Sequence, residues 1–64
     1  MFLWTYLDGE GAEFGLSQTF PTREAAEGWM SEAWSGLAER GVEQVELMDQ
    51  ARDERLYRMS LGEE

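Results

Sequence analysis

The clearest pattern of apolar and polar positions in this chain lies between Phe20 and Val42. Within this stretch, apolar residues recur at steps of three and four, which places them along one side of a helix. They are Ala26, Trp29, Met30, Ala33, Trp34 and Leu37. We therefore predict an amphipathic helix that packs this stripe, including both tryptophans, against a core.

The same stretch carries residue types that begin and end helices. Thr22 is the predicted N-cap because its hydroxyl can accept a hydrogen bond from a free first-turn amide, and Glu24 suits the positive end of the helix dipole. Gly41 can adopt the left-handed conformation that ends a helix. In such an ending the next residue contacts the last turn, so we expect Val42 to touch Leu37.

Apolar residues also cluster before the predicted helix, in segments typical of β-strands. Residues 2–7 and 13–20 are rich in aromatic and β-branched residues and are separated by the turn sequence DGEG, which predicts a hairpin. We expect Gly11 to be the left-handed residue of this turn. The expected cross-strand pairs are Tyr6 with Phe14 and Trp4 with Leu16. This register would place the apolar residues of both strands on one face.

A second hairpin is predicted after the helix, from residues 43–48 and 55–61, across the polar segment 49–54. Its register should bring apolar residues together on one face and opposite charges together on the other. The expected pairs are Val45 with Met59, Leu47 with Tyr57 and Glu46 with Arg58.

These elements predict an α+β fold of order ββαββ, with a four-stranded antiparallel or mixed sheet and one helix packed on one face. The first strand is apolar on both sides, which suits a central position in the sheet. It is central in the strand order 2-1-3-4, where all neighbours are antiparallel, and also in the order 2-1-4-3, where strands one and four are parallel. Residues 1–61 should form a single domain, followed by a short acidic tail at 62–64.

Composition limits the chemistry available to the chain. The sequence contains no Cys and no His, so catalysis would depend on carboxylates, Ser, Tyr or Arg. The acidic residues of the predicted helix should lie in solvent, without the apolar surroundings that a general acid requires. Asp49, Asp53 and Glu54 do not have the spacing of a Ca²⁺-binding EF-hand loop. We therefore expect no catalytic residue, no cofactor and no metal site.

The charge balance bears on the kind of partner. Fourteen acidic residues against five arginines give a net charge of −9. Such a charge repels phosphates and anionic lipids, so we expect no binding to nucleic acid or membranes and favour a basic protein partner. It also keeps a small domain soluble without any partner. No apolar run approaches the ~20 residues that span a bilayer, and we expect a cytoplasmic location.

Four segments give the chain a family resemblance. These are WTYLD near the start, TREAAEGWMSEAW in the helix, GVEQVELMD in the third strand and the terminal YRMSL. Together they resemble short, acidic, uncharacterised single-domain proteins of actinobacterial type, and the similarity covers nearly the whole chain. The resemblance implies a free-standing domain from a bacterial cytoplasm. It implies no activity and no site residues.

Two surfaces are candidate binding sites. The sheet face away from the helix should combine an apolar centre with a polar rim, as protein interfaces do. Its candidate residues are Leu3, Leu7, Met48, Leu56 and Arg58. The outer side of the helix should present an acidic surface formed by Glu24, Glu27 and Glu32.

We expect a non-enzymatic function for the chain: an accessory or regulatory module that binds another protein, or a second copy of itself as a homodimer, through one of these surfaces. One alternative is an inhibitor that mimics nucleic acid with rows of carboxylates and targets a basic protein. The other is a carboxylate-based hydrolase or small-molecule binder, which requires a concave pocket that 64 residues leave little volume to form.

Overall fold

The computed structural model describes residues 1–61, which contain four strands and one helix. The elements are β1 (Phe2–Leu7), β2 (Glu13–Leu16), α1 (Arg23–Glu39), β3 (Gln44–Asp49) and β4 (Glu54–Ser60). The strands form one sheet in the order β2-β1-β3-β4, and each neighbouring pair is antiparallel. This confirms the predicted α+β fold and selects the fully antiparallel strand order. The predicted tail at 62–64 lies outside the described residues.

Both ends of the helix form as the sequence predicts. The Thr22 hydroxyl accepts a hydrogen bond from the Ala25 amide at 3.0 Å. At the other end Gly41 has a φ of 99°, and the Val42 amide donates to the Leu37 carbonyl at 3.1 Å. Val42 and Leu37 also belong to one buried cluster, which is the contact expected of a Schellman ending.

The core lies between the helix and the two central strands, β1 and β3. Trp4 is fully buried, and its indole Nε1 donates a hydrogen bond to the Ala26 carbonyl of the helix at 3.0 Å. The bond satisfies an indole N–H that would be costly to bury without a partner, and it fixes the helix over β1. The other large residues of this cluster are Phe20, Met30, Leu37, Val42, Val45, Leu47 and Leu61.

The register of the β3–β4 hairpin matches the prediction. Val45 pairs with Met59, Glu46 with Arg58 and Leu47 with Tyr57. Beyond these pairs Met48 aligns with Arg55, so Leu56 is an extra residue in a β-bulge. A bulge interrupts the alternation of side chains, and Leu56 packs against the core cluster. The prediction that Leu56 lies on the face away from the helix is therefore wrong.

In the β1–β2 hairpin, the pair next to the turn keeps the predicted register, and the pairs beyond it are shifted by one residue. The observed pairs are Thr5 with Leu16, Tyr6 with Gly15 and Leu7 with Glu13. Phe14 is the extra residue of a second bulge, and Leu16 lies beside Thr5 on the face away from the helix. As a result, Phe14 and Leu16 are 52% and 62% exposed. The position beside Tyr6 belongs to Gly15, where an added Cβ would lie only 3.0 Å from the tyrosine ring.

The helix buries a narrower stripe than the sequence pattern predicts. Ala26, Met30 and Leu37 are buried, whereas Trp29 is only partly buried and Trp34 is 44% exposed. At about 100° per residue, the two tryptophans lie on opposite flanks of the stripe, roughly 60–80° from its centre. The prediction that both tryptophans enter the core is therefore wrong for Trp34, and Trp29 packs at the edge of the core.

Replacing Trp4 with Phe removes the hydrogen bond to the helix and leaves unfilled volume in the core. We expect Trp4→Phe to lower the free energy of unfolding by about 1–3 kcal/mol. The matched control, Trp34→Phe on the exposed flank, should change it by less than about 0.5 kcal/mol. Urea denaturation followed by circular dichroism measures both variants, and equal losses would contradict the placement of the two tryptophans.

Candidate functional site

The sheet face away from the helix, here called the far face, contains four of the five residues predicted to form the interaction surface. They are Leu3, Leu7, Met48 and Arg58. Leu3 and Leu7 are nevertheless only 8% and 1% exposed. Their neighbours across the strands are Met48 beside Leu3, and Glu13 and Gln44 on either side of Leu7. The far face therefore lacks the exposed apolar centre that the sequence predicts.

Glu46 lies in the middle of the far face and pairs with two arginines. Its Oε2 atom accepts hydrogen bonds from Arg55 Nη1 at 3.1 Å and from Arg58 Nη2 at 2.7 Å. The Glu46 side chain is buried, whereas both arginines are about half exposed. Burial by itself would raise the pKa of Glu46, but the bonds from Arg58 and Arg55 outweigh it and hold this pKa below its ordinary value. Arg58 is thus engaged within the chain.

The shifted pKa of Glu46 predicts a pH-dependent contribution to stability. Because the pKa in the folded state lies below the value in the unfolded chain, the carboxylate stabilises the fold above that unfolded value. The contribution is lost as pH falls through the folded pKa. We expect Glu46→Gln to lower the free energy of unfolding by about 1–3 kcal/mol at neutral pH, and we expect this deficit to shrink in acid.

The matched control is Glu32→Gln on the exposed surface of the helix, which should leave stability unchanged within about 0.5 kcal/mol. Urea denaturation at several pH values between about 7 and 3 measures the two variants against the natural chain. A Glu46→Gln deficit that stays constant over this range would contradict the assignment.

The three residues of the predicted acidic helix surface differ in their contacts. Glu24 and Glu32 are exposed, but Glu27 accepts hydrogen bonds from the Tyr57 hydroxyl at 2.8 Å and from Arg23 Nε at 3.0 Å. Both hydrogen bonds hold the pKa of Glu27 below its ordinary value, and the bond from Tyr57 has the larger effect. Since Tyr57 belongs to β4, Glu27 connects the helix to the sheet. Its side chain is 42% exposed, so Glu27 lies at the surface as predicted, but it is bonded to neighbouring side chains there.

The largest exposed apolar side chains of the sheet's first hairpin lie on β2, at the edge of the sheet. Phe14 and Leu16 are both more than half exposed there. The Ser17 amide donates to the Trp4 carbonyl at 2.8 Å, so by the alternation of an antiparallel ladder the N–H and C=O of Leu16 point away from β1. This edge therefore presents a backbone donor and acceptor together with two apolar side chains, a surface that the predicted register did not reveal.

A groove lies on the helix side of the sheet, between α1 and β1. It has a volume of about 320 Å³ and is lined by Tyr6, Trp29, Ala33, Gly36, Leu37 and Arg40. Burial raises the pKa of the Tyr6 phenol, and the positive charge of Arg40 partly opposes this rise. Among residues 1–61, no carboxylate lines the groove, so this part of the chain does not make it a site for a hydrolase that works through its own acidic residues.

Within residues 1–61, no three acidic side chains lie close enough together to hold a metal ion. The same part of the chain has no helix of the length and apolar character needed to cross a bilayer. No family model matches the chain, and no curated protein or solved structure is significantly similar to it. The resemblance to short acidic proteins of actinobacterial type therefore stays a prediction.

Proposed function

We propose that this protein is a non-enzymatic binding module that takes up an extended, basic segment of another protein along the free edge of β2. The observation that carries the proposal is the exposure of Phe14 and Leu16 beside outward-pointing backbone groups. An apolar edge strand is a template for pairing with another strand, and strand addition is a common mode of peptide recognition.

Charge complementarity defines the class of partner. The chain has a net charge of −9, and four of its five arginines are ion-paired with carboxylates of the chain itself. The turn and strand next to the exposed edge carry Asp8, Glu10 and Glu13. A segment with apolar side chains and several Lys or Arg residues would cover Phe14 and Leu16 and bring cations near these carboxylates.

The alternatives have weaker support. A homodimer through the same edge would bring two chains with a charge of −9 together, and their repulsion opposes it. A nucleic-acid mimic needs a row of free carboxylates on the helix, but Glu27 is bonded to Tyr57 and Arg23. Away from Leu16 at its β2 edge, the far face offers little apolar surface, because Leu3 and Leu7 are buried.

The proposal is tested with a decapeptide of alternating Val and Arg, and with a Val and Glu decapeptide as the control for charge. We expect the basic peptide alone to bind, with amide shift changes in NMR spectra concentrated at residues 14–17. Binding should weaken as salt is added, because screening reduces the attraction between opposite charges. Shift changes spread evenly over the acidic surface would contradict recognition at the edge.

Leu16→Thr removes the exposed apolar side chain and keeps a residue that favours strands. We expect it to weaken binding of the basic peptide at least about fivefold while changing the free energy of unfolding by less than about 0.5 kcal/mol. Met59→Thr is the matched control, since Met59 is an exposed apolar residue of the opposite edge strand, β4. Equal binding by both variants would exclude the β2 edge, and a dimer in analytical ultracentrifugation would point to a second copy instead.

A further inference from the structure

We propose that the groove between α1 and β1 binds a small carboxylate with a flat apolar body, of the aryl carboxylate class. The groove shares no lining residue with the exposed edge of β2, although its Tyr6 pairs with Gly15 of that strand, and the inference does not depend on the function proposed above.

The walls of the groove suit a flat apolar group. Tyr6 and Trp29 contribute aromatic rings, and Trp29 is positioned by packing against Phe20, with ring centroids 5.4 Å apart. Gly36 leaves open space along one wall of the groove, since a Cβ added there would meet no neighbouring atom within 4 Å. The volume of about 320 Å³ lies near the lower end of small-molecule sites, which extend over roughly 300–1,000 Å³. It has room for a single ring system with its acid group.

The polar groups of the groove suit an anion. Arg40 presents a planar guanidinium that can donate two parallel hydrogen bonds to a carboxylate. The phenol of Tyr6 stays protonated at neutral pH and can donate a further bond. Because residues 1–61 line the groove with two donors of this kind and with no carboxylate, the groove favours an acid over an amine.

The charges elsewhere in the chain single out Arg40. Within residues 1–61 each of the other arginines forms an ion pair with an acidic residue, and Arg40 forms none. The net charge of −9 repels an anion at long range, but salt screens exposed charges beyond about 10 Å at 0.1 M ionic strength. A ligand in the groove would meet Arg40 well inside that distance.

The probe for this site is phenylacetate, compared with phenylacetamide, which has the same shape and no charge. We expect phenylacetate to bind with a dissociation constant of about 1 mM, as befits so small a ligand, and phenylacetamide to bind about tenfold more weakly. NMR titration should show saturable shifts at the Trp29 indole and at the Gly36 and Arg40 amides. Equal binding of acid and amide, or shifts centred on Arg55 and Arg58, would overturn the proposal.

Three variants separate the groove from the rest of the surface. Arg40→Gln should weaken phenylacetate binding about tenfold and leave phenylacetamide binding unchanged. Gly36→Leu should abolish binding by filling the groove, whereas Gly28→Leu, at another helical glycine with open space around it, should bind like the natural chain. Both leucines favour the helix, so thermal unfolding should report folded proteins. Binding that survives in Gly36→Leu, or that is lost equally in Gly28→Leu, would exclude the groove.

Leu16→Thr serves as a further control, because it alters the β2 edge and leaves the groove intact. It should bind phenylacetate like the natural chain while losing affinity for the basic peptide. The two sites can therefore fail independently. Loss of phenylacetate binding in Leu16→Thr would overturn the assignment of this ligand to a separate groove.

Discussion

The width of the sheet relative to a single helix determines what this chain can bury. Four strands spaced about 4.8 Å apart extend over roughly 15 Å, whereas a helix with its side chains covers about 10 Å. The helix therefore covers the two central strands, where Trp4, Val45 and Leu47 are fully buried. The outer strands extend beyond it. The groove beside Tyr6 of β1 lies on one flank of the helix, and the exposed Trp34 lies on the other.

Within residues 1–61 no second layer covers the far face, and the chain covers the centre of this face with side chains of the sheet itself. Arg55 and Arg58 on the outer strand β4 reach over Glu46 on β3, and Thr5 and Leu7 on β1 are buried as well. Long arginine side chains can cover a neighbour with their apolar stems and keep their charged ends in water. The centre of the sheet is thus protected on both sides, and exposed apolar surface is concentrated at the edges.

Local signals in the sequence were sufficient for the helix boundaries and for the fold, because capping and side-chain alternation act over a few residues. The misplaced residues depend on contacts that are distant in the chain. Glu27 is held by Tyr57, thirty positions away, and the exposure of Trp34 follows from the orientation of the helix on the sheet, which buries Ala26, Met30 and Leu37 instead. Gly15 could have indicated the correct register of the first hairpin, since a glycine inside a strand often marks a bulge or a close approach of two chain segments. The groove is formed by Tyr6 of β1 and residues of the helix, and no local sequence pattern shows that these come together.

The two bulges have a consequence for the behaviour of the protein at high concentration. Both lie in the outer strands, at Phe14 in β2 and at Leu56 in β4, while the central β1–β3 pair is regular. A bulge bends its strand and interrupts the even row of backbone groups that the next sheet would have to match. Neither edge therefore offers the long, flat template that fibrils require, and we expect the sheet to resist repeated addition of copies even where its edge is apolar.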